Sequence, residues 1–349
     1  MPVAARRTFR LSLIVALALA GAYAFALPLP FLAPLFAFLL AAPPKPPMGL
    51  KSLIGLILIV LITLGIGLLL IPAFTNYPVS AVLMVAVGLY FSSYLTVNNS
   101  KSPVGTLLTV GFTLIPAAGT VNFSVAVVVL QSLVLGIGLA IICQWLVYPW
   151  FPEDGNTAVE KKSVPDTPTQ SSWIALRTVL IVLPPFLLCL TNPSMYLATI
   201  MKSVLLGQQG SVVSARAAGR ELLGSTFLGG CFAVLFWFAL KIHPNLWMFF
   251  LWMLLFGVYF SSKLYRLIYS RFPPSFWLNT AVTMLILLGP AVQDSAGGKD
   301  VYMAFTVRMG LFVSVTLYAW LAVYTLELLR TRRLTRLSFS LPDMDSPRC

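Results

Sequence analysis

The sequence predicts an all-α polytopic membrane protein, with about twelve transmembrane helices in two parallel six-helix repeats. The chain is 59% hydrophobic and only 9% charged, whereas about 25% of the residues in an ordinary soluble domain are charged. Its apolar runs are long enough to cross a hydrocarbon core of about 30 Å as helices. Lipid offers no partner for free backbone N–H and C=O groups, so these runs must be helical. The lipid bilayer is therefore the first predicted partner.

An internal repeat divides the chain into two halves. The block GLYFSSYL at 88–95 returns 169 positions later as GVYFSSKL at 257–264, with six of eight residues identical. Two further landmarks recur at nearly the same offset. Lys51 and Gly55 correspond to Arg220 and Gly224, and Arg7-Thr8 corresponds to Arg177-Thr178. Three landmarks in register are difficult to explain by chance.

Each half contains six apolar segments. They are predicted at 11–27, 31–42, 53–71, 79–95, 104–118 and 123–147, and again at 174–191, 194–207, 222–240, 246–262, 276–291 and 301–326. We therefore predict a first membrane repeat at 1–148, a polar cytoplasmic linker at 149–172, a second repeat at 173–329 and a basic, disordered cytoplasmic tail at 330–349. Because six is even, both repeats enter the membrane from the same side and are parallel.

Lysine and arginine residues are distributed unevenly between the predicted loops. With the N-terminus in the cytoplasm, the inner segments hold 18 of them and the outer loops hold two, Lys241 and Lys299. This asymmetry fits the positive-inside rule with both termini cytoplasmic. It also accounts for the net charge of +13, which lies against the anionic inner leaflet and requires no nucleic-acid partner.

The second helix of each half is short. Residues 31–42 end at a proline-rich stretch, and the matching segment 194–207 contains Lys202 and runs into Gln208 and Gln209. Short or interrupted apolar segments at matching places in two repeats point to a transport site. The alternative is that these two helices are tilted at an edge of the bundle.

Two cationic side chains fall within predicted spans. Lys202 lies near the middle of its span, and Arg308 lies about two turns into the last helix. Burying such a charge costs on the order of 3 kcal/mol, and no carboxylate occupies the central part of a span, because Asp294 is placed in an outer loop. We predict a substrate-binding site for anions, to which Lys202 and Arg308 contribute positive potential and Gln208 and Gln209 hydrogen bonds. The alternative is that both cations snorkel to an interface.

Other polar and small residues have simpler interpretations. Arg216, Arg220 and Glu221 open the ninth helix and predict either a basic cytoplasmic mouth or lipid-headgroup contacts. The serines of the two Tyr-Phe-Ser-Ser blocks either permit close helix packing or line an inner vestibule. Glycine pairs such as Gly65 and Gly67 predict packing contacts.

The sequence lacks the motifs of an enzyme. It contains no GxSxG, Walker or HExxH motif, and its four cysteines lack metal-ligand spacing. We therefore predict no catalytic residues, no cofactor and no metal. Energy for transport must come from a gradient or from another subunit, although a proton-coupled pump usually keeps an Asp or Glu at mid-membrane.

These features together resemble a known superfamily. Six-helix halves, a basic residue before each first helix (Arg7, Arg177) and a basic residue ahead of a glycine at each third helix are similar to the fusaric acid resistance and aromatic acid exporter superfamily. More narrowly, the chain resembles the DUF2955 group of compact bacterial membrane proteins. The resemblance implies inner-membrane efflux of aromatic or other organic acids. It also implies an HlyD-type periplasmic adaptor and an outer-membrane channel as partners.

The chain is therefore expected to be an inner-membrane efflux transporter for anionic organic compounds, chiefly aromatic carboxylates, with its pathway between the two repeats. Two alternatives remain open. A passive organic-anion channel is favoured by the missing mid-membrane carboxylates. A non-transporting subunit of an envelope assembly needs none of the predicted cationic residues.

Overall fold

The computed structural model describes residues 2–98, 102–153, 168–209, 215–298 and 300–339. Within these residues the chain is all-helical and contains no strand. The α-helices are α1 (Val3–Ala24), α2 (Leu32–Ala41), α3 (Leu50–Asn76), α4 (Pro78–Asn98), α5 (Ser102–Gly119), α6 (Phe123–Val147), α7 (Pro168–Thr191), α8 (Pro193–Gln209), α9 (Ala215–Ile242), α10 (Leu246–Leu264), α11 (Pro274–Ala296) and α12 (Val301–Phe339). A single 3-10 turn, Tyr148–Trp150, follows α6.

Most of these helices suit a lipid environment. Among the described helices, eight are long and apolar enough to cross a membrane: α3, α4, α6, α7, α9, α10, α11 and α12. Shorter apolar helices occupy Leu32–Ala41, Gly105–Gly119 and Met195–Gly207. Helix α3 presents Leu58, Ile62 and Leu69 on the outside of the bundle, where each is more than half exposed. Such an apolar exterior indicates a multi-pass membrane protein.

The helices overlap the predicted apolar segments, although several begin earlier than predicted, α1 at Val3 instead of 11 and α9 at Ala215 instead of 222. Three further differences bear on the predicted linker, second helices and tail. Helix α7 begins at Pro168, inside the predicted linker, and residues 154–167 of that linker lie outside the described residues. Helix α8 has 17 residues against ten in α2, so the second helices are not equally short. Ten residues rise only about 15 Å, half of a hydrocarbon core, whereas 17 rise about 25 Å.

The third difference is at the C-terminus. Helix α12 continues to Phe339, so the prediction of a disordered tail is wrong for residues 330–339. This stretch contains Arg, Leu, Thr, Ser and Phe but neither Gly nor Pro. Strong helix formers such as Arg and Leu extend an existing helix at little cost, because only nucleation is expensive. Residues 340–349 of the predicted tail lie outside the described residues.

The helices pack in reciprocal pairs. Helix α1 packs against α10, and α4 packs against α7. Helix α3 packs against α5 as α9 packs against α11, and α1 packs against α2 as α7 packs against α8. Helices α1 and α11 lie deepest in the bundle, and α11 is buried over most of its length.

Contacts between helix ends define two opposite faces of the bundle. At one face the Tyr265 hydroxyl, just after α10, donates to the carbonyl oxygen of Ala42 at 2.8 Å. At the other face the Gln293 amide of α11 donates to the carbonyl oxygen of Pro28 at 3.1 Å. The Lys241 ammonium at the end of α9 donates to the Tyr302 hydroxyl of α12 at 2.7 Å. Helices α1, α2, α9, α10, α11 and α12 therefore alternate in direction.

Two glycines let α3 and α5 approach closely. A Cβ on Gly67 would overlap the backbone oxygen of Gly111, and a Cβ on Gly111 would overlap the backbone oxygen of Thr63. Backbone atoms cannot move aside as a side-chain tip can. The predicted packing contact is therefore confirmed for Gly67 but not for Gly65, where a Cβ would meet nothing within 4 Å.

Replacing Gly67 by alanine is expected to destabilise the protein by about 1–3 kcal/mol, the usual cost of overpacking a tight contact. Thermal unfolding of the detergent-solubilised chain measures the effect. Gly65→Ala is the matched control on the same helix and should leave the unfolding temperature unchanged or slightly raised, since alanine is the better helix former. Equal unfolding temperatures for the two variants would contradict the close approach.

Candidate functional site

Helix α11 carries polar contacts at three levels along its length. Its first turn holds Ser275, whose hydroxyl donates to the Glu221 carboxylate of α9. The Thr283 hydroxyl accepts a hydrogen bond from Lys202 of α8, and the Asp294 carboxylate pairs with Arg308 of α12. Eight residues separate the first two levels and eleven the last two, which corresponds to about 12 Å and about 16 Å along the helix. Lys202 therefore sits near the middle of the depth spanned by α11.

The Lys202 ammonium is buried with few partners. The side chain is only 3% exposed, and its Nζ donates to Thr283 Oγ1 at 2.7 Å. Thr283 Oγ1 in turn donates to the carbonyl oxygen of Asn279 at 2.7 Å, so its single proton is committed. An ammonium has three donors, and within the described part of the chain only one is used and no carboxylate faces it. When the side chain is protonated, two buried donors remain for an anion or water.

A second unsatisfied group lies one turn away on the same helix. Thr199 is 1% exposed, and its Oγ1 has no hydrogen-bond partner among the described residues. Residues three apart on a helix share a face, so Thr199 and Lys202 lie side by side. Neither Thr199 nor Thr283 is among the residues predicted from the sequence. The spacing to Lys202 could have indicated Thr199, but Thr283 is 81 residues away and depends on how α8 packs against α11.

Arg308 differs from the prediction. Its guanidinium Nη1 lies 2.5 Å from Asp294 Oδ2, and the two side chains are 15% and 12% exposed. The prediction that Arg308 has no carboxylate nearby is therefore wrong. Asp294 was placed in a loop, but α11 continues to Ala296 and carries this carboxylate onto the face toward α12. The Arg308 charge is neutralised, and its contact lies about 16 Å along α11 from that of Lys202, so the structure does not bring the two cations together.

The remaining predicted site residues fall into two groups. The side chain of Glu221 is largely buried at the α9–α11 contact, so it packs inside the bundle and does not line an open mouth. Gln208 and Gln209 end α8, and Arg216 and Arg220 belong to the first turns of α9. The side chains of these four residues lie outside the described residues.

The serines of the two repeated blocks are packed between helices. Ser92 Oγ donates to the carbonyl oxygen of Gly105 at 3.0 Å and lies 2.5 Å from Thr109 Oγ1. Ser261 and Ser262 are also buried. This arrangement matches the packing interpretation of the serines, whereas Tyr90 of the first block lines a cavity described below.

Ion pairs join the start of each half to its end. Glu153, which follows α6, pairs with Arg7 and, at 2.7 Å, with Arg10 of α1. The Glu153 side chain is 5% exposed. In the second half Arg177 of α7 pairs with Glu327 of α12 at 3.0 Å, and Glu327 is 40% exposed. These contacts fix the first helix of each half against the chain at or beyond its sixth helix.

The Glu153 pair predicts a pH dependence of stability. Burial by itself raises the pKa of the Glu153 carboxyl, but hydrogen bonds and charge from Arg7 and Arg10 outweigh it and hold the pKa below its usual value. A depressed pKa contributes stability above the unfolded value of about 4.3, and that stability is lost as pH falls through the folded pKa. We expect the unfolding temperature to fall below about pH 4.3, and to fall less in Glu153→Gln. Identical pH profiles would contradict the assignment.

A protein family matches part of the chain. Residues 7–147 match the model of the family named "Protein of unknown function (DUF2955)". No curated protein and no solved structure matches the chain. The matched segment runs from Arg7 in α1 to Val147 at the end of α6, and it therefore covers the first six helices except for residues 3–6 at the start of α1. The resemblance to the DUF2955 family is thus confirmed for residues 7–147.

Proposed function

We propose that the protein exports anionic organic compounds, chiefly aromatic carboxylates, across the bacterial inner membrane. The observation that carries this proposal is Lys202, a buried ammonium with two unused donors and no carboxylate partner among the described residues. Thr199 adds an unused hydroxyl on the same helix face. A carboxylate is the ligand that matches such a set, because charge-assisted hydrogen bonds to an ammonium are short and strong.

The proposed architecture is twelve crossings in two parallel repeats. Under the exchange of the two halves, the α1–α10 contact becomes the α7–α4 contact, and both are present. Arg7 and Arg177 each pair with a carboxylate at the far end of their own half. The alternation of helix ends at the two faces agrees with an even number of crossings in each half.

The proposed pathway runs near the boundary between the halves. Helix α8, which carries Lys202, contacts α5 of the other half, and α11 contacts α2. Helix α2 spans only about 15 Å, so other residues must line the rest of the membrane thickness next to it. Substrate reaches Lys202 only if α8 moves relative to α11, because the side chain is enclosed in the described structure.

The proposed location has both termini in the cytoplasm, as the excess of Lys and Arg in the inner segments indicates. An HlyD-type periplasmic adaptor and an outer-membrane channel are proposed partners on the strength of the superfamily resemblance. The placement in the fusaric acid resistance and aromatic acid exporter superfamily belongs to the same proposal.

A passive organic-anion channel is the second candidate. It is favoured because no carboxylate pairs with Lys202 among the described residues. The carboxylates of Glu221 and Asp294 make their contacts near the two ends of α11 and not beside its centre. A proton-coupled exporter ordinarily uses a carboxylate at mid-membrane.

Flux measurements on the full chain in liposomes test the proposal. Vesicles loaded with radiolabelled 4-hydroxybenzoate should release it faster than protein-free vesicles, which report passive loss of the protonated acid. The neutral analogue 4-hydroxybenzyl alcohol should show no protein-dependent release. Saturable release that needs an ion gradient supports an exporter, and conductance without any gradient coupling supports a channel. Absence of protein-dependent flux for both compounds would leave the envelope-subunit alternative and overturn the proposal.

A further inference from the structure

A second candidate site lies at the end of the bundle where α7 begins. A cavity of about 340 Å³ is lined by Tyr90, Ser172, Trp173, Leu176 and Arg330. These residues belong to α4, α7 and α12, and α4 and α7 form one of the two main contacts between the halves. The volume lies within the range of about 300–1,000 Å³ that is usual for small-molecule sites. In the proposed orientation this end faces the cytoplasm.

The cavity combines aromatic walls with a cation. The Arg330 guanidinium carbon lies 5.8 Å from the centre of the Trp173 ring. The Tyr90 ring is held in place by stacking on Tyr94, with 6.4 Å between ring centres and 18° between planes. A planar aromatic ring gains from stacking on such surfaces, and a guanidinium matches the two oxygens of a carboxylate in one plane.

Within the described part of the chain, the charge of Arg330 is not neutralised by a carboxylate. Arg330 is exposed, and no ion pair joins it to another described residue. Glu327, one turn before it on α12, pairs with Arg177. The first half differs, because Glu153 takes both Arg7 and Arg10 at the corresponding end. In addition, the indole Nε1 of Trp173 is buried without an acceptor within the described part of the chain. The cavity is thus lined by a cation and by a tryptophan whose indole donor is unused.

We propose that this cavity is a loading site that binds aromatic carboxylates from the cytoplasm before they reach Lys202. The ring lies against Trp173 and Tyr90, and the carboxylate pairs with Arg330. Its role in loading rests on the proposed transport function, but binding is measurable without transport. The two aromatic surfaces favour a soluble aromatic acid over a lipid headgroup, which would use Arg330 alone.

Equilibrium binding to the full chain in zwitterionic phosphatidylcholine nanodiscs tests this inference. Isothermal titration with benzoate is expected to show binding that Arg330→Gln weakens at least about tenfold, the cost of losing a charge-assisted pair. Arg330→Lys keeps the charge but loses the planar fork and should give a smaller loss. Cyclohexanecarboxylate should bind more weakly than benzoate, and benzyl alcohol should not compete. Arg271→Gln, at an exposed arginine of the α10–α11 connection, is the matched control and should bind as the parent protein does.

The outcomes separate this inference from the proposed function. Lys202→Met should reduce flux at least about tenfold while leaving the Arg330-dependent benzoate binding in place. If Arg330→Gln binds benzoate normally while Lys202→Met has lost transport, the loading site is wrong and the exporter proposal stands. If phosphatidylglycerol added to the nanodiscs, and not benzoate, is the ligand that depends on Arg330, the site is a headgroup contact and the inference is overturned. Unfolding temperatures within error of the parent protein confirm that each variant is folded.

Discussion

Lys202→Met is expected to reduce the flux of aromatic carboxylates by at least about tenfold, because a charge-assisted hydrogen bond is worth roughly 1.5–3 kcal/mol and every 1.4 kcal/mol is a factor of ten. Methionine fills a similar volume and cannot attract an anion. The loss should be seen as initial release rates of 4-hydroxybenzoate from proteoliposomes, compared at equal protein content.

The same variant should not unfold the protein. The ammonium is buried with one hydrogen bond to Thr283, and Thr283 keeps its own bond to the Asn279 carbonyl oxygen when the lysine is removed. Replacing a buried charge by an apolar side chain of similar size is often neutral or stabilising. The unfolding temperature of Lys202→Met is therefore expected to equal or exceed that of the parent protein.

Lys241→Met provides the matched control for this experiment. Lys241 lies in the last turn of α9, is exposed and donates to the Tyr302 hydroxyl. Because it is not part of the proposed anion site, its loss should leave flux unchanged. Normal flux in Lys202→Met would remove the main support for an anion site. A lower unfolding temperature in that variant would instead show that Lys202 is structural.

Glu153→Gln is expected to destabilise the protein by about 3–5 kcal/mol, the usual cost of breaking a buried ion pair from one side. The variant leaves two guanidinium groups, Arg7 and Arg10, without their carboxylate, and the Arg10 side chain is only 5% exposed. Thermal unfolding in detergent at neutral pH measures the effect. Adding Arg10→Met to Glu153→Gln should recover part of the loss, because the charge left unpaired is then removed.

Glu327→Gln is the matched control in the second half. Its carboxylate is 40% exposed, whereas the side chain of its partner Arg177 is only 6% exposed. Solvent at the carboxylate screens the pair more than it screens the buried Glu153 pair. We therefore expect a clearly smaller fall in unfolding temperature than in Glu153→Gln. Equal losses in the two variants would show that burial does not decide the strength of these pairs.

The positions of the helices could be predicted from the sequence because their cause is local. Each apolar run is continuous, and lipid requires its backbone to be hydrogen-bonded within the run. Helix α12 extends beyond its predicted end although residues 330–339 are basic, because a basic composition alone does not prevent a helix. Helix propensity, which is high for arginine and leucine, was the better guide there.

The candidate site was only partly predictable. Lys202 could be identified because a lone ammonium in an apolar run is costly wherever it points. Its partners could not, since Thr283 and Thr199 are ordinary residues until α8 is placed against α11. Arg308 shows the opposite error, because a shift of a few residues at the end of α11 brings Asp294 into contact and changes an isolated cation into a neutral pair.

In each half, the first helix packs against the fourth helix of the other half, and this arrangement has a consequence for how such a chain could have arisen. Because α1 rests on α10 and α7 rests on α4, a single six-helix unit would leave its first and fourth helices without their main neighbours. If the two halves are repeats, as proposed, an ancestor of that size would have had to assemble as a symmetric dimer before its gene was duplicated and fused. Two separately expressed polypeptides, divided within 154–167, should accordingly reassemble when made in the same cell, and neither should be stable when made alone.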